Sequence, residues 1–106
     1  DLTHRYIHDV TQLLKRLMKG EGEHTVLYDR LISFLDKAAS FEELKARILL
    51  YYVVLVDLGY ADIKIIGAKN LKEYNSWGID DLYTHIVLSD KAVRAHIHAV
   101  LQDIHL

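Results

Sequence analysis

The sequence has no cysteine, no proline and only five glycines among its 106 residues. Without cysteine there is no disulfide, no thiolate nucleophile and no cysteine-type zinc site, a composition compatible with a reducing compartment. Without proline, and with so little glycine, neither a collagen-like nor a low-complexity chain fits. A dominant charge is missing too. Lys and Arg number 13 against 15 Asp and Glu, a net charge of −2, which gives no global field able to gather nucleic acid or anionic lipid. Any nucleic-acid contact would have to be local. The longest apolar run, Ile48 to Val56, is nine residues, roughly half of the ~20 that a bilayer-spanning helix needs. It reads as a core segment, and no membrane partner is expected. At the N-terminus a basic stretch, an apolar block and a small-residue cleavage site do not follow in that order, so a cytoplasmic location is expected.

What is present is globular: 51% hydrophobic and 26% charged residues, at a length that supplies one core and one helical domain spanning residues 1–106. The chain opens at Asp1, without an initiator Met, directly in a helical pattern, as the C-terminal part of a longer polypeptide would. From Leu2 to Lys19 the apolar residues Tyr6, Ile7, Val10, Leu13, Leu14, Leu17 and Met18 recur at three and four residues, predicting an amphipathic helix. Gly20 to Glu23 breaks the period and reads as a turn. A second helix is expected from about Thr25 to Ala39, with Leu27, Tyr28, Leu31, Ile32, Leu35 and Ala38 inward. Ser40 and Glu43 have capping-box spacing and predict the start of a third helix, Phe41 to Leu58.

That third helix changes character midway, from Glu42, Glu43, Lys45 and Arg47 to the unbroken apolar run. Alone, the run could be a buried strand. The cap ahead of it and Gly59 behind it favour a central helix enclosed by the others. Two short helices, Leu71 to Tyr74 with Asn70 and Glu73 at cap spacing and about Asp80 to Val87, should follow. Ser89 is expected to cap a last helix carrying Val93, Ile97, Val100, Leu101 and Ile104 as one stripe. The fold class is therefore all-α, a small bundle around a buried central helix.

Chemistry-bearing patterns are sparse. His4 and His8 have the four-residue spacing at which two imidazoles can share a metal, but no third ligand accompanies them, and a solvated helix face accounts for both. His98 and His105 lie two turns apart, about 10 Å by the helical rise. His85 and His96 have no spacing that joins them. Glu42-Glu43 and Asp80-Asp81 stand at predicted helix starts, where the macrodipole favours negative charge, so capping explains them. No phosphate-cradling glycine loop, nucleophile elbow or HExxH motif occurs, so no enzyme, metal or cofactor is expected. Arg5, Gln12, Arg16 and Lys19, with Lys15 beside them, form a basic strip opposite the apolar stripe of the first helix. The strip is either an ordinary solvated face or a contact for phosphate or an acidic peptide.

Two resemblances bear on function. Leu88 to Ile97, followed by Val100-Leu101, resembles the recognition helix of LuxR-type helix-turn-helix regulators, although from Ile79 onward acids outnumber bases, the wrong sign for entering a DNA groove. Over most of the chain the order of elements is similar to the helical C-terminal domain of the RecO recombination mediators. A helix opening Tyr6-Ile7, the segment Val26 to Leu35, the closing Leu58-Gly59-Tyr60 and the terminal His96 to Leu106 carry that likeness. Where many members hold a four-cysteine zinc module, Gly59 to Lys64 leads on to Trp77 without a cysteine, so no zinc is expected. The resemblance implies a non-catalytic DNA repair and recombination role, with DNA contacted mainly through an N-terminal OB domain that lies outside this chain. It also implies two partners, the acidic tail of single-stranded-DNA-binding protein and a recombination mediator partner. Such a tail needs cations beside an apolar notch. Lys45 and Arg47 are the first candidates, and Arg5, Lys15, Arg16 and Lys19 the second. A purely structural helical module is the remaining alternative.

Overall fold

A helical run of nine apolar side chains, Ile48 to Val56, has to be enclosed, and here the remaining helices are arranged to enclose it. The computed structural model describes His8, Asp9, Thr11, Gln12, Leu14, Lys15 and residues 25–104. Among these, the chain runs through α1 (Thr25–Lys37), α2 (Glu43–Asp57), α3 (Leu71–Ser76), α4 (Ile79–Leu88) and α5 (Asp90–Asp103), with 3₁₀ turns at Ala38–Ser40 and Ile63–Ile66 and no strand. The described residues from His8 to Lys15 are helical, and Leu14 packs against the core. The rest of the expected first helix and the turn after it lie outside the described residues. The protein is all-α, and no described helix is long and apolar enough to cross a membrane.

Helix α2 packs against α1, α4 and α5. Of the nine residues from Ile48 to Val56, only Ile48 and Tyr51 are half-exposed, and the other seven are buried. Buried apolar area of this kind is the main favourable term in folding, about 1.5–3 kcal/mol per large side chain before entropy is set against it. The end of α2 shows why Gly59 follows it. The Tyr60 amide donates to the Leu55 carbonyl at 2.8 Å and the Gly59 amide to the Val56 carbonyl at 3.0 Å. This paired closure needs a left-handed residue between, and Gly59 has φ +85°.

Three local expectations are corrected. Ser40 does not begin a capping box, because its hydroxyl turns back to donate to the Lys37 carbonyl at 2.7 Å. Glu42 caps α2 instead, its carboxylate accepting from the Leu44 and Lys45 amides at 3.2 and 3.0 Å. Ser89 makes no side-chain cap, because α5 starts directly behind α4 and the Ser89 amide still bonds back to the His85 carbonyl. The inward face of α1 is corrected in part: Leu27 and Ala38 are buried and Leu31 packs on the core as expected, but the face is rotated toward Arg30 and Phe34. Leu27, Arg30, Phe34 and Ala38 are buried, whereas Tyr28, Ile32 and Leu35 are exposed, Ile32 to 67%. A seven-residue step links Leu27 to Phe34 and a four-residue step Arg30 to Phe34, so the true stripe included an arginine that apolar counting passes over.

The other caps match the sequence reading. Asn70 Oδ1 accepts from the Glu73 amide at 2.9 Å, and Asp81 Oδ2 accepts from the Gly78 amide at the start of α4 at 3.4 Å. Asp80 pairs with Lys37 of α1 at 2.8 Å. Phe41 stacks on Tyr83 at 4.2 Å, and the Tyr83 hydroxyl accepts from the Glu42 amide at 3.2 Å, which pins the start of α2 to α4.

Candidate docking groove

The first half of α2 is the part its neighbours leave open. Leu44, Arg47, Ile48 and Tyr51 rise along it at helical spacing, and Arg94, Ile97, His98 and Leu101 face them from α5. Together they line an open groove of about 310 Å³ with an apolar floor and two guanidinium groups. Leu44, at one end, is 58% exposed. The change of composition midway along α2 produces this opening, since a helix charged in its first turns cannot be enclosed there as it is further on.

The described charges around the groove fall into a cluster on Asp90 and a separate pair at Arg47. Asp90, the first residue of α5, holds Lys45 at 3.0 Å and Arg94 at 3.2 Å. The Lys45 ammonium beside it, helped by the positive charge of Arg94 and opposed by partial burial, keeps the Asp90 carboxyl below its ordinary value. Arg47 has a looser partner: its Nε lies 3.8 Å from Asp9 Oδ2, and no acceptor lies within hydrogen-bond reach of that Nε. Burial, and then the negative charge of Asp9, push the Tyr51 phenol up, while Arg47 pulls it back. Among the described ion pairs, Lys45, Arg47 and Arg94 thus face the carboxylates of Asp9 and Asp90.

Of the residues singled out in the sequence, Arg47 lines the groove and Lys45 stands just beside its lining, next to Leu44. Lys15 is exposed on the N-terminal helical segment. Arg5, Arg16 and Lys19 lie outside the described residues. Arg94 and His98 were missed as site residues. The signal for Arg94 was its place three residues before Ile97 and seven before Leu101, on the flank of the predicted stripe of the last helix. Nothing in the sequence said that this flank meets α2.

A second cavity, also about 310 Å³, is lined by Val26, Asp29, Arg30 and Ser33 of α1 and by Asn75, Trp77, Gly78 and Ile79. Its arginine is committed to the fold. Arg30 is 7% exposed, donates to the carbonyls of Trp77 and Tyr74 at 3.0 Å each, and sits 4.8 Å from the centre of the Tyr74 ring. Burial pushes the Tyr74 phenol well up, with Arg30 opposing.

The described histidines have separate roles. His85 stacks on Trp77 at 3.8 Å, and His96 Nε2 accepts from the Asp62 amide at 2.9 Å. Among the described residues no three His, Asp or Glu side chains gather as a metal site would require. No protein-family model, curated protein or solved structure matches this chain.

Proposed function

We propose that this chain is a non-catalytic docking module that receives an acidic peptide segment ending in an apolar residue. In that role it would be the helical part of a RecO-like recombination mediator acting in the cytoplasm. The supporting observation is the groove between α2 and α5, where Arg47 and Arg94 stand over Leu44, Ile48, Ile97 and Leu101. Carboxylates of the segment pair with the two guanidiniums, whose planar donors suit them, and the terminal apolar side chain enters the floor. The tail of single-stranded-DNA-binding protein has this chemistry on the RecO reading. DNA is then contacted mainly by a part of the protein outside this chain, and the recombination partner is gathered through the same docking role.

The test is a titration of a fluorescein-labelled Asp-Asp-Asp-Leu-Phe peptide with a free C-terminus. Binding should be micromolar or weaker and should fall as salt rises, since the cations are partly exposed. Arg47→Glu should weaken it about tenfold or more, and Lys15→Glu much less. Equal effects of the two variants, or no saturable binding at low salt, would overturn the docking reading. Duplex-specific DNA binding would instead favour a helix-turn-helix reader.

A further inference from the structure

The groove already faces a carboxylate of its own chain. Asp9, on the N-terminal helical segment, places Oδ2 3.8 Å from Arg47 Nε, and its side chain is 24% exposed. Arg47 and Tyr51, both in the groove lining, feel its charge. The contact is an ion pair without a hydrogen bond from Nε. It therefore holds Arg47 by charge alone at that nitrogen and does not match the paired, short hydrogen bonds that a well-placed carboxylate makes with a guanidinium. Asp90 holds Arg94 differently, at 3.2 Å and one helical turn away, and also engages Lys45. That carboxylate is built into α5, whereas Asp9 reaches Arg47 from a separate segment.

We infer that Asp9 is an internal competitor of the acidic ligand, so that the N-terminal helical segment weakens docking at Arg47 in cis. The inference rests on the docking reading of the groove. An incoming carboxylate replaces a loose internal pair at Arg47, and the work of separating Arg47 from Asp9 is subtracted from its affinity. The pair is loose and both side chains are partly solvated, so the competition sets a modest threshold and does not close the groove.

The same labelled peptide tests this on the whole chain. Asp9→Asn should bind about two- to fivefold more tightly than the unaltered protein, as expected for loss of one loose, partly solvated ion pair. Asp36→Asn, which removes an equal charge from the exposed face of α1, should change binding little. A readout without ligand accompanies it. The Tyr51 phenol, identified by comparison with Tyr51→Phe, should ionise at lower pH in Asp9→Asn, because a neighbouring negative charge has been removed. Arg47-dependent binding that Asp9→Asn leaves unchanged, or tightens no more than Asp36→Asn does, overturns the competition and leaves the docking reading standing. Absence of Arg47-dependent binding in both the unaltered protein and Asp9→Asn overturns both. An unmoved Tyr51 titration overturns the placement of Asp9 on which the competition depends.

Discussion

Two cavities of equal volume, each beside an arginine, differ in what their arginines are left to do. In the cavity between α1 and the α3–α4 connection, Arg30 is buried and its terminal nitrogens are engaged by the carbonyls of Tyr74 and Trp77. In the groove between α2 and α5, Arg47 is 36% exposed and its described partner is a carboxylate 3.8 Å away. A buried guanidinium without such acceptors would carry a desolvation cost of several kcal/mol, so the fold holds Arg30 to two backbone groups. Arg47 is only half-buried and is held less tightly, its Nε having the Asp9 carboxylate nearby but no hydrogen-bond acceptor. Cation identity and cavity size are the same in both places. On the proposed function, the commitment of the donors is what separates Arg30, spent on the fold, from Arg47, left to meet a partner.

The sharpest test acts on α2, the helix that supplies both kinds of position. Val54→Asp should abolish cooperative folding, since an unpaired charge at a fully buried site costs several kcal/mol out of a total of about 5–15. A variant that still melts cooperatively near the original temperature would refute the enclosed helix. Next in size is the contrast between the arginines. Arg30→Met should cost about 1–3 kcal/mol by stranding carbonyl acceptors, read by urea unfolding, with peptide binding little changed. Arg47→Met should cost less than about 0.5 kcal/mol while losing most of the peptide affinity. Equal stability losses would erase the distinction between the two cavities.

The smallest effect concerns acid. The folded protein holds the Asp90 carboxyl below its ordinary value, chiefly through Lys45, so the unfolded chain takes up that proton first as pH falls. The stabilisation is fully present above the unfolded value of about 3.9 and is lost as pH drops through the folded value. Asp90→Asn should therefore flatten the decline of stability below about pH 4 and leave the curve near neutrality parallel to that of the unaltered protein. An unchanged acid limb would show that the Lys45–Asp90–Arg94 network contributes nothing at the rim of the groove.

Much of the fold was readable in advance. The run from Ile48 to Val56 has no polar face, so it had to lie inside, and Gly59 marked where it stops. Asn70, Glu73 and the paired acids at helix starts were readable because capping acts over three or four residues of the same chain. Arg47 and Lys45 were legible as cations beside an apolar stretch. The misplaced features had other causes. Ser40 and Glu42 compete for the same turn, and spacing alone does not decide which side chain takes the amides. The face of α1 is legible only in part, at Leu27, Leu31 and Ala38, because Tyr28, Ile32 and Leu35 are apolar yet exposed, whereas Arg30, a charged residue, is buried.

By itself the sequence determined the all-α class, the central place of α2 and the absence of any cysteine-based chemistry. These follow from composition and from periodicity along one helix. Only the tertiary structure decided that Arg94 and Ile97 of α5 meet Arg47 and Ile48 of α2, that Arg30 serves carbonyls more than forty residues away, and that Asp9 reaches the groove. The physical reason is one of range. Hydrogen-bonded turns and apolar stripes are set by neighbours within a few residues, whereas the partner of a charged side chain is set by which helix faces are packed together after the chain has closed on itself.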